Sequence, residues 1–324
     1  MSEQRGGIRA EQRPTRKNAL VLYLLSGIGL FAATLLLVAL GGALSNADAN
    51  LVNLGYNLFY YLCFLALPIA LSVKRRPEML NALRPNPISL PGVLLIVAMA
   101  LLGVFLVNDV TVLWSIPFQK LGFNVNAGGL EVPFDRAGLM LCVIYVAVLP
   151  GVCEEFLYRG VLLSAFEEGG TRRAMVLTSL LFMLMHGSLI GAPAEFILGM
   201  IIASLVIYTD SIYAGLIYHT VHNAAMVVLQ CMQQRMPSTA ELPADYLTAI
   251  GGLPGLLVLL VEVALTAAML RLMLRIFRAR AQLRGVRMVQ GARLRLSRGE
   301  WALLIAGVLL TALMYVQDIL LMLA

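Results

Sequence analysis

Long apolar runs, separated by short polar segments, dominate the chain from residue 19 to its C-terminus. A membrane-spanning helix needs roughly 20 apolar residues, since each residue advances about 1.5 Å and the hydrocarbon layer is about 30 Å thick. The pattern therefore predicts an all-α protein, a polytopic membrane helix bundle with about nine transmembrane helices. The predicted spans are 19–44, 51–73, 91–114, 137–166, 174–190, 193–209, 211–232, 251–274 and 301–323.

Composition supports the same class of protein and narrows its partners. Hydrophobic residues make up 60% of the 324 positions and charged residues 13%, whereas soluble proteins carry about 25% charged residues. The net charge of +6 comes without interleaved aromatic and basic residues, so we expect contact with membrane lipid and none with nucleic acid. The four cysteines lack CxxC spacing and indicate neither a disulfide framework nor a zinc site.

Basic residues predict the direction of the spans. With the N-terminus in the cytoplasm, the inner segments hold 20 of the 24 Lys and Arg residues and the outer segments hold three, which follows the positive-inside rule. Nine spans then place the C-terminus outside, and we expect a multi-pass protein of a prokaryotic plasma membrane. The arginine-rich segment before the last span is either an amphipathic helix on the inner leaflet or an ordinary inner loop.

The stretch GVCEEFLYRG places three ionisable side chains, Glu154, Glu155 and Arg159, inside the fourth apolar run. The three histidines of the chain fall in the fifth and seventh runs. Counted at about 1.5 Å per residue from the predicted inner ends, Glu154, His186 and Asn223 share a depth of roughly 20 Å. Ionisable groups within a bilayer are costly and indicate function, so we expect one polar layer across three spans.

Helical spacing groups these side chains further. Glu155 and Arg159 are four residues apart, share a helix face and can pair. Glu154 projects about 100° away from Glu155, so its carboxylate can stay free of the arginine. His219 and Asn223 are also four residues apart and lie one above the other.

Carboxylates and histidines around one water can take and return a proton, and a histidine with an amide can stabilise an oxyanion. Together these groups describe hydrolysis of an amide bond. Two histidines and a carboxylate could instead bind a divalent metal, and each polar residue taken alone could be a structural pair or an interhelical hydrogen bond. His222, next to Asn223, is expected to point elsewhere.

Three motifs in chain order resemble those of the CAAX-protease and bacteriocin-processing family, the intramembrane endopeptidases also called Rce1-like or Abi proteins. The motifs are Glu154-Glu155-x-x-x-Arg159, Phe182-x-x-x-His186 and His219-x-x-x-Asn223. The resemblance covers about residues 137–232. It implies a helix bundle that hydrolyses peptide bonds of membrane-associated substrates, such as prenylated CAAX-type or bacteriocin-like peptides.

The resemblance also implies roles for the first two motifs. Glu154 together with His186 would activate the attacking water. Glu155 and Arg159 would orient the site or balance its charge.

In the third motif, the resemblance implies that His219 and Asn223 hold the oxyanion. This account requires no cofactor. A divalent metal, bound by Glu154, His186 and His219, stays an alternative.

The sequence thus divides into a basic cytoplasmic tail (1–18), three N-terminal spans with their loops (19–136), a catalytic core (137–232) and two C-terminal spans with an arginine-rich linker (233–324). Two other functions stay open. One is a non-catalytic membrane scaffold or bacteriocin immunity factor that retains the fold. The other is a proton-coupled transporter, although the internal repeat that many transporters contain is not found.

Overall fold

The computed structural model of the chain describes residues 13–44, 49–63, 69–70, 73, 78–125, 136–235, 246–286, 288–291 and 294–323. Regular secondary structure in these residues is helical and includes no strand, so the predicted all-α class is confirmed. The main helices are α1 (Arg16–Leu44), α2 (Ala49–Tyr61), α3 (Leu90–Lys120), α4 (Arg136–Gly169), α5 (Thr171–His186), α6 (Ala192–Thr209), α7 (Ile212–Arg235), α8 (Gly252–Leu283) and α9 (Arg298–Leu323).

Seven helices of the described part, α1, α3, α4 and α6 to α9, are long and apolar enough to cross a membrane. The chain is therefore an integral membrane protein, and the predicted number of nine is approximate. The predicted second span, 51–73, lies partly outside the described residues. The predicted fifth span is α5, which has 16 residues and a length of about 24 Å.

Three predicted boundaries differ clearly from the structure. α3 continues to Lys120, six residues past the predicted end at 114. α5 ends at His186 and not at residue 190, because Gly187 adopts a left-handed conformation with φ 61° that stops the helix. α8 continues to Leu283, nine residues past the predicted end at 274. Arginine is a good helix former, so the first arginines of the linker extend α8 instead of starting a loop.

The hairpin of α5 and α6 lies inside the bundle. Beyond its first turn, which carries Glu195, α6 is apolar on all sides, and it packs against α3, α5, α7 and α8. Its Gly199 lets α5 approach, since a Cβ there would lie 3.0 Å from the Cβ of Ser179. Two hydrogen bonds from Leu189 join the turn between α5 and α6 to neighbouring helices. Its carbonyl accepts from Trp114 Nε1 at 3.0 Å, and its N–H donates to Asp318 Oδ2 at 2.8 Å. The position of His186 at the end of α5 is thereby fixed.

α4 carries the paired acids and departs twice from α-helical geometry. Two π-helical segments, Ile144–Val148 and Phe156–Leu162, flank the α-helical turns Leu149–Glu155. π-helical insertions are frequent at functional sites because they change which residues share a face. Pro150 has no N–H to offer the carbonyl of Val146, four residues earlier. That carbonyl accepts instead from Asn223 Nδ2 on α7, at 3.0 Å.

A buried charge cluster joins the end of α4 to the α6–α7 turn. Arg84 forms ion pairs with Glu167 and with Asp210, the latter at 3.7 Å, and Arg13 lies 3.2 Å from Glu167. Asn86 Nδ2 donates to the backbone carbonyl of Asp210 at 2.6 Å. Buried charges need such partners, so this cluster fastens the ends of the helices that carry the polar side chains.

The contact between α4 and α7 predicts a stability effect at Gly151. A Cβ at this position would collide with Thr220 Oγ1 on α7. We expect Gly151→Val to destabilise the protein by about 1–3 kcal/mol, as overpacking of well-packed interiors does. The measurement is thermal unfolding of the purified protein in detergent.

The matched control is Gly55→Val on α2, because a Cβ at Gly55 meets no described atom within 4 Å. Equal melting temperatures for the two variants would contradict the proposed contact.

Candidate functional site

The second acid of the pair belongs to a buried network. Arg159 donates to Glu155 Oε1 at 3.0 Å and to the carbonyl of Gly199 at 3.2 Å. His219 Nδ1 donates to the same Glu155 oxygen at 2.9 Å. The residues are 0% (Glu155), 1% (Arg159) and 1% (His219) exposed. The predicted pairing of Glu155 with Arg159 is therefore present, and it extends to the first histidine of α7.

The first acid points to a different set of partners. Glu154 Oε1 accepts from the Tyr61 hydroxyl at 3.4 Å. Glu154 Oε2 lies 3.9 Å from His186 Nε2 and 4.0 Å from His219 Nε2, and it has no hydrogen-bond partner among the described residues. Each gap is too long for a direct hydrogen bond and short enough for one water to contact both atoms. Glu154 is thus separated from the arginine, as the helical spacing predicts.

His186 is oriented by its own helix. Its Nδ1 donates to the carbonyl of Phe182 at 2.8 Å, because a carbonyl can only accept. Nε2 is left facing Glu154. The Phe182 ring lies 4.5 Å from the His186 ring and 4.5 Å from the Arg159 guanidinium. The aromatic residue of the second motif therefore separates the arginine from the histidine and packs against both.

A cavity of about 340 Å³ brings the three motif helices together. Among the predicted site residues, Glu154, His186, His219 and Asn223 line it, whereas Glu155 and Arg159 lie behind its wall. The expectation that His222 points elsewhere is wrong, since this residue also lines the cavity.

Two lining residues that lie close to Glu154 or His186 were not predicted as site residues from the sequence. Tyr61 comes from α2 and reaches Glu154, and Glu195, in the first turn of α6, lies 3.5 Å from His186 Nε2 through its Oε2. A carboxylate at the start of an apolar span is a signal for Glu195. Tyr61 carries no such signal, because tyrosine is common near the ends of membrane helices.

The geometry of the three candidate metal ligands, Glu154, His186 and His219, differs from that of a zinc site. No group of three or more His, Cys, Asp or Glu side chains in the described residues is arranged to hold a metal ion. Zinc ligands lie about 2.0–2.2 Å from one ion, which places them closer to one another than Glu154 is to His186 or His219, at 3.9 and 4.0 Å. The described side chains in this arrangement therefore lend a metal site no support, and the reaction proposed from them uses no metal.

Comparison with family models gives a match over residues 136–225, to the family described as type II CAAX prenyl endopeptidase Rce1-like. The matched segment runs from α4 into α7 and contains all six predicted site residues, so the resemblance is confirmed for this part of the chain. Comparisons with curated proteins and with solved structures found no match. Residues 136–225, within a membrane-embedded helix bundle, are thus similar to an Rce1-like domain, and this family is one of proteases, which supports a peptidase.

Proposed function

We propose that the protein is an intramembrane endopeptidase of the glutamate type, in which Glu154 and His186 activate a water. The observation that carries this proposal is the position of Glu154 Oε2. This oxygen is buried, lacks a hydrogen-bond partner among the described residues and faces the Nε2 atoms of two histidines across gaps of 3.9 and 4.0 Å. A general base needs to reach a water within about 3 Å, and the cavity wall offers that place.

The reaction then proceeds in two proton transfers. Glu154 takes a proton from the water while the water oxygen forms a bond to the peptide carbonyl carbon. The carbonyl oxygen thereby becomes an oxyanion. When the carbon–nitrogen bond breaks, Glu154 returns the proton to the leaving amine. His186 holds the water opposite Glu154, which is 5% exposed.

His219 and Asn223 are the proposed oxyanion donors. His219 Nδ1 donates to Glu155, whose charge Arg159 balances, and its Nε2 faces the cavity. Nε2 donates to the oxyanion when the ring is the imidazolium, in which both nitrogens carry a hydrogen. One N–H of Asn223 is committed to Val146, and an amide nitrogen has a second N–H. Donors held this way by their neighbours are preorganised, which is the source of oxyanion stabilisation.

The proposed substrates are membrane-associated peptides, prenylated CAAX-type or bacteriocin-like, because the matched family name refers to CAAX prenyl endopeptidases. The test is cleavage by purified protein in lipid nanodiscs, with a prenylated CAAX peptide and an unmodified amphipathic peptide as substrates. In water enriched in ¹⁸O, the new carboxylate should gain one ¹⁸O atom.

A parallel reaction contains a strong chelator and should proceed at the same rate. Loss of cleavage that added zinc restores would contradict the glutamate mechanism. If neither peptide is cleaved and the Glu154→Ala variant still functions normally in cells, the peptidase proposal is wrong. The non-catalytic scaffold is then the better account.

A further inference from the structure

Glu195 occupies a position that the three motifs do not explain. It lies in the first turn of α6, just beyond the turn that follows His186, and it lines the same cavity as Glu154. Its Oε2 atom is 3.5 Å from His186 Nε2 and has no hydrogen-bond partner among the described residues. A carboxylate within an apolar span costs free energy, and such groups usually pair with another polar or charged group. We therefore expect Glu195 to pair with such a group.

The partner is the imidazole of His186. Phe182 accepts from Nδ1 at 2.8 Å, while Glu154 and Glu195 face Nε2 at 3.9 and 3.5 Å. When Nε2 carries a proton, the charged ring attracts two carboxylates on two different helices, although neither oxygen forms a direct hydrogen bond with it. The ring is therefore hydrogen-bonded to α5 itself and attracted electrostatically to α4 and α6.

The backbone around Glu195 keeps this arrangement in place. The α5–α6 turn is tied to α3 through Trp114 and to α9 through Asp318, and Gly191 N donates to Ser188 Oγ at 3.0 Å just before α6 begins. The Tyr315 hydroxyl on α9 donates a hydrogen bond to the carbonyl of Met183 on α5, at 3.0 Å. This bond adds a second link between α9 and the α5–α6 hairpin. The distance between Glu195 and the His186 ring is thus determined by a turn and by helices that are hydrogen-bonded to one another.

We propose that Glu195 is a positioning residue, which holds the His186 imidazole in the orientation that faces Glu154 and the water. This inference rests on the proposed peptidase function and adds a third carboxylate to it. Glu195 acts through His186 and does not contact the peptide. The alternative, that its carboxylate binds a cationic group of the substrate, predicts a different kinetic effect and is one outcome of the test.

The first test is Glu195→Gln in the nanodisc cleavage assay. Glutamine keeps the size of the side chain and an acceptor oxygen and removes the charge. We expect kcat to fall about tenfold, the effect of neutralising one close charged partner of the ring, with KM unchanged. The matched control is Glu168→Gln, an exposed acid at the far end of α4, for which both constants should stay at wild-type values. Unchanged kcat in Glu195→Gln, or a rise in KM at constant kcat, would overturn the positioning role.

The second test does not require activity. The chain has three histidines, so ¹⁵N labelling of their rings gives a small set of resonances, and the His186 signals are those lost in His186→Gln. In Glu195→Gln we expect the His186 Nε2 resonance to shift while the resonances of His219 stay in place. An unshifted His186 signal would refute the contact even in an active enzyme. A shifted signal in a protein that cleaves nothing would retain the contact and refute the proposed function.

Discussion

Glu154→Gln lowers the cleavage rate by about 100- to 10,000-fold and leaves the protein folded in the membrane. The range is the usual contribution of a general base. A glutamine amide cannot take a proton from the water, but it has the same shape and keeps an oxygen that can accept from Tyr61, as Glu154 Oε1 does at 3.4 Å. Because Glu154 makes no ion pair with Arg159, its neutralisation leaves the buried network intact. The measurement is kcat in nanodiscs together with the melting temperature of the same preparation.

The matched control is Glu262→Gln. Glu262 is an acid on α8, within another membrane helix, and it does not line the cavity. Its neutralisation should leave cleavage within about twofold of wild type, the scatter expected of a distant site. Wild-type activity in Glu154→Gln would remove Glu154 from the mechanism.

Arg159→Met produces the largest expected loss of stability, about 3–5 kcal/mol, the cost of leaving one partner of a buried ion pair uncompensated. Methionine replaces the aliphatic part of the arginine side chain and carries no charge. The change leaves Glu155, which is 0% exposed, without its cation, and it also removes the hydrogen bond to the carbonyl of Gly199. The free energy of unfolding can be measured by denaturant titration in mixed micelles, with retained helicity checked by circular dichroism.

A second variant isolates the cause. Arg159→Met combined with Glu155→Gln removes the stranded charge, so part of the lost stability should return. If the double variant is no more stable than Arg159→Met alone, the uncompensated Glu155 carboxylate is not the source of the loss.

Much of the fold follows from the sequence because the bilayer imposes a simple rule on apolar length. Eight of the nine predicted spans correspond to main helices of the described structure. The remaining one, the second span at 51–73, lies partly outside the described residues. The i,i+4 spacing also predicted that Arg159 would pair with Glu155 and not with Glu154. These are local properties, which residue spacing along a helix determines.

Other features depend on contacts between distant segments. Tyr61 reaches the cavity from α2, 93 residues before the Glu154 that it contacts, and hydropathy carries no information on which helices are neighbours. Glu195 reaches its partner His186 only because the α5–α6 turn folds the start of α6 back onto the end of α5. The early end of α5 depends on the conformation of a single residue, Gly187. The role of Pro150 becomes visible only with Asn223 beside it, since a missing N–H on one helix is compensated by an amide on another.

The most direct test of the central claim, that Glu154 and His186 act on one water, is a double-mutant cycle. Single-turnover rates are measured for wild type, Glu154→Gln, His186→Gln and the double variant, with the product quantified by mass spectrometry. Residues that work as a unit are strongly non-additive, so we predict that the double variant is no slower than the slower single variant. Multiplication of the two losses in the double variant would show that the two side chains act independently and would contradict the shared water.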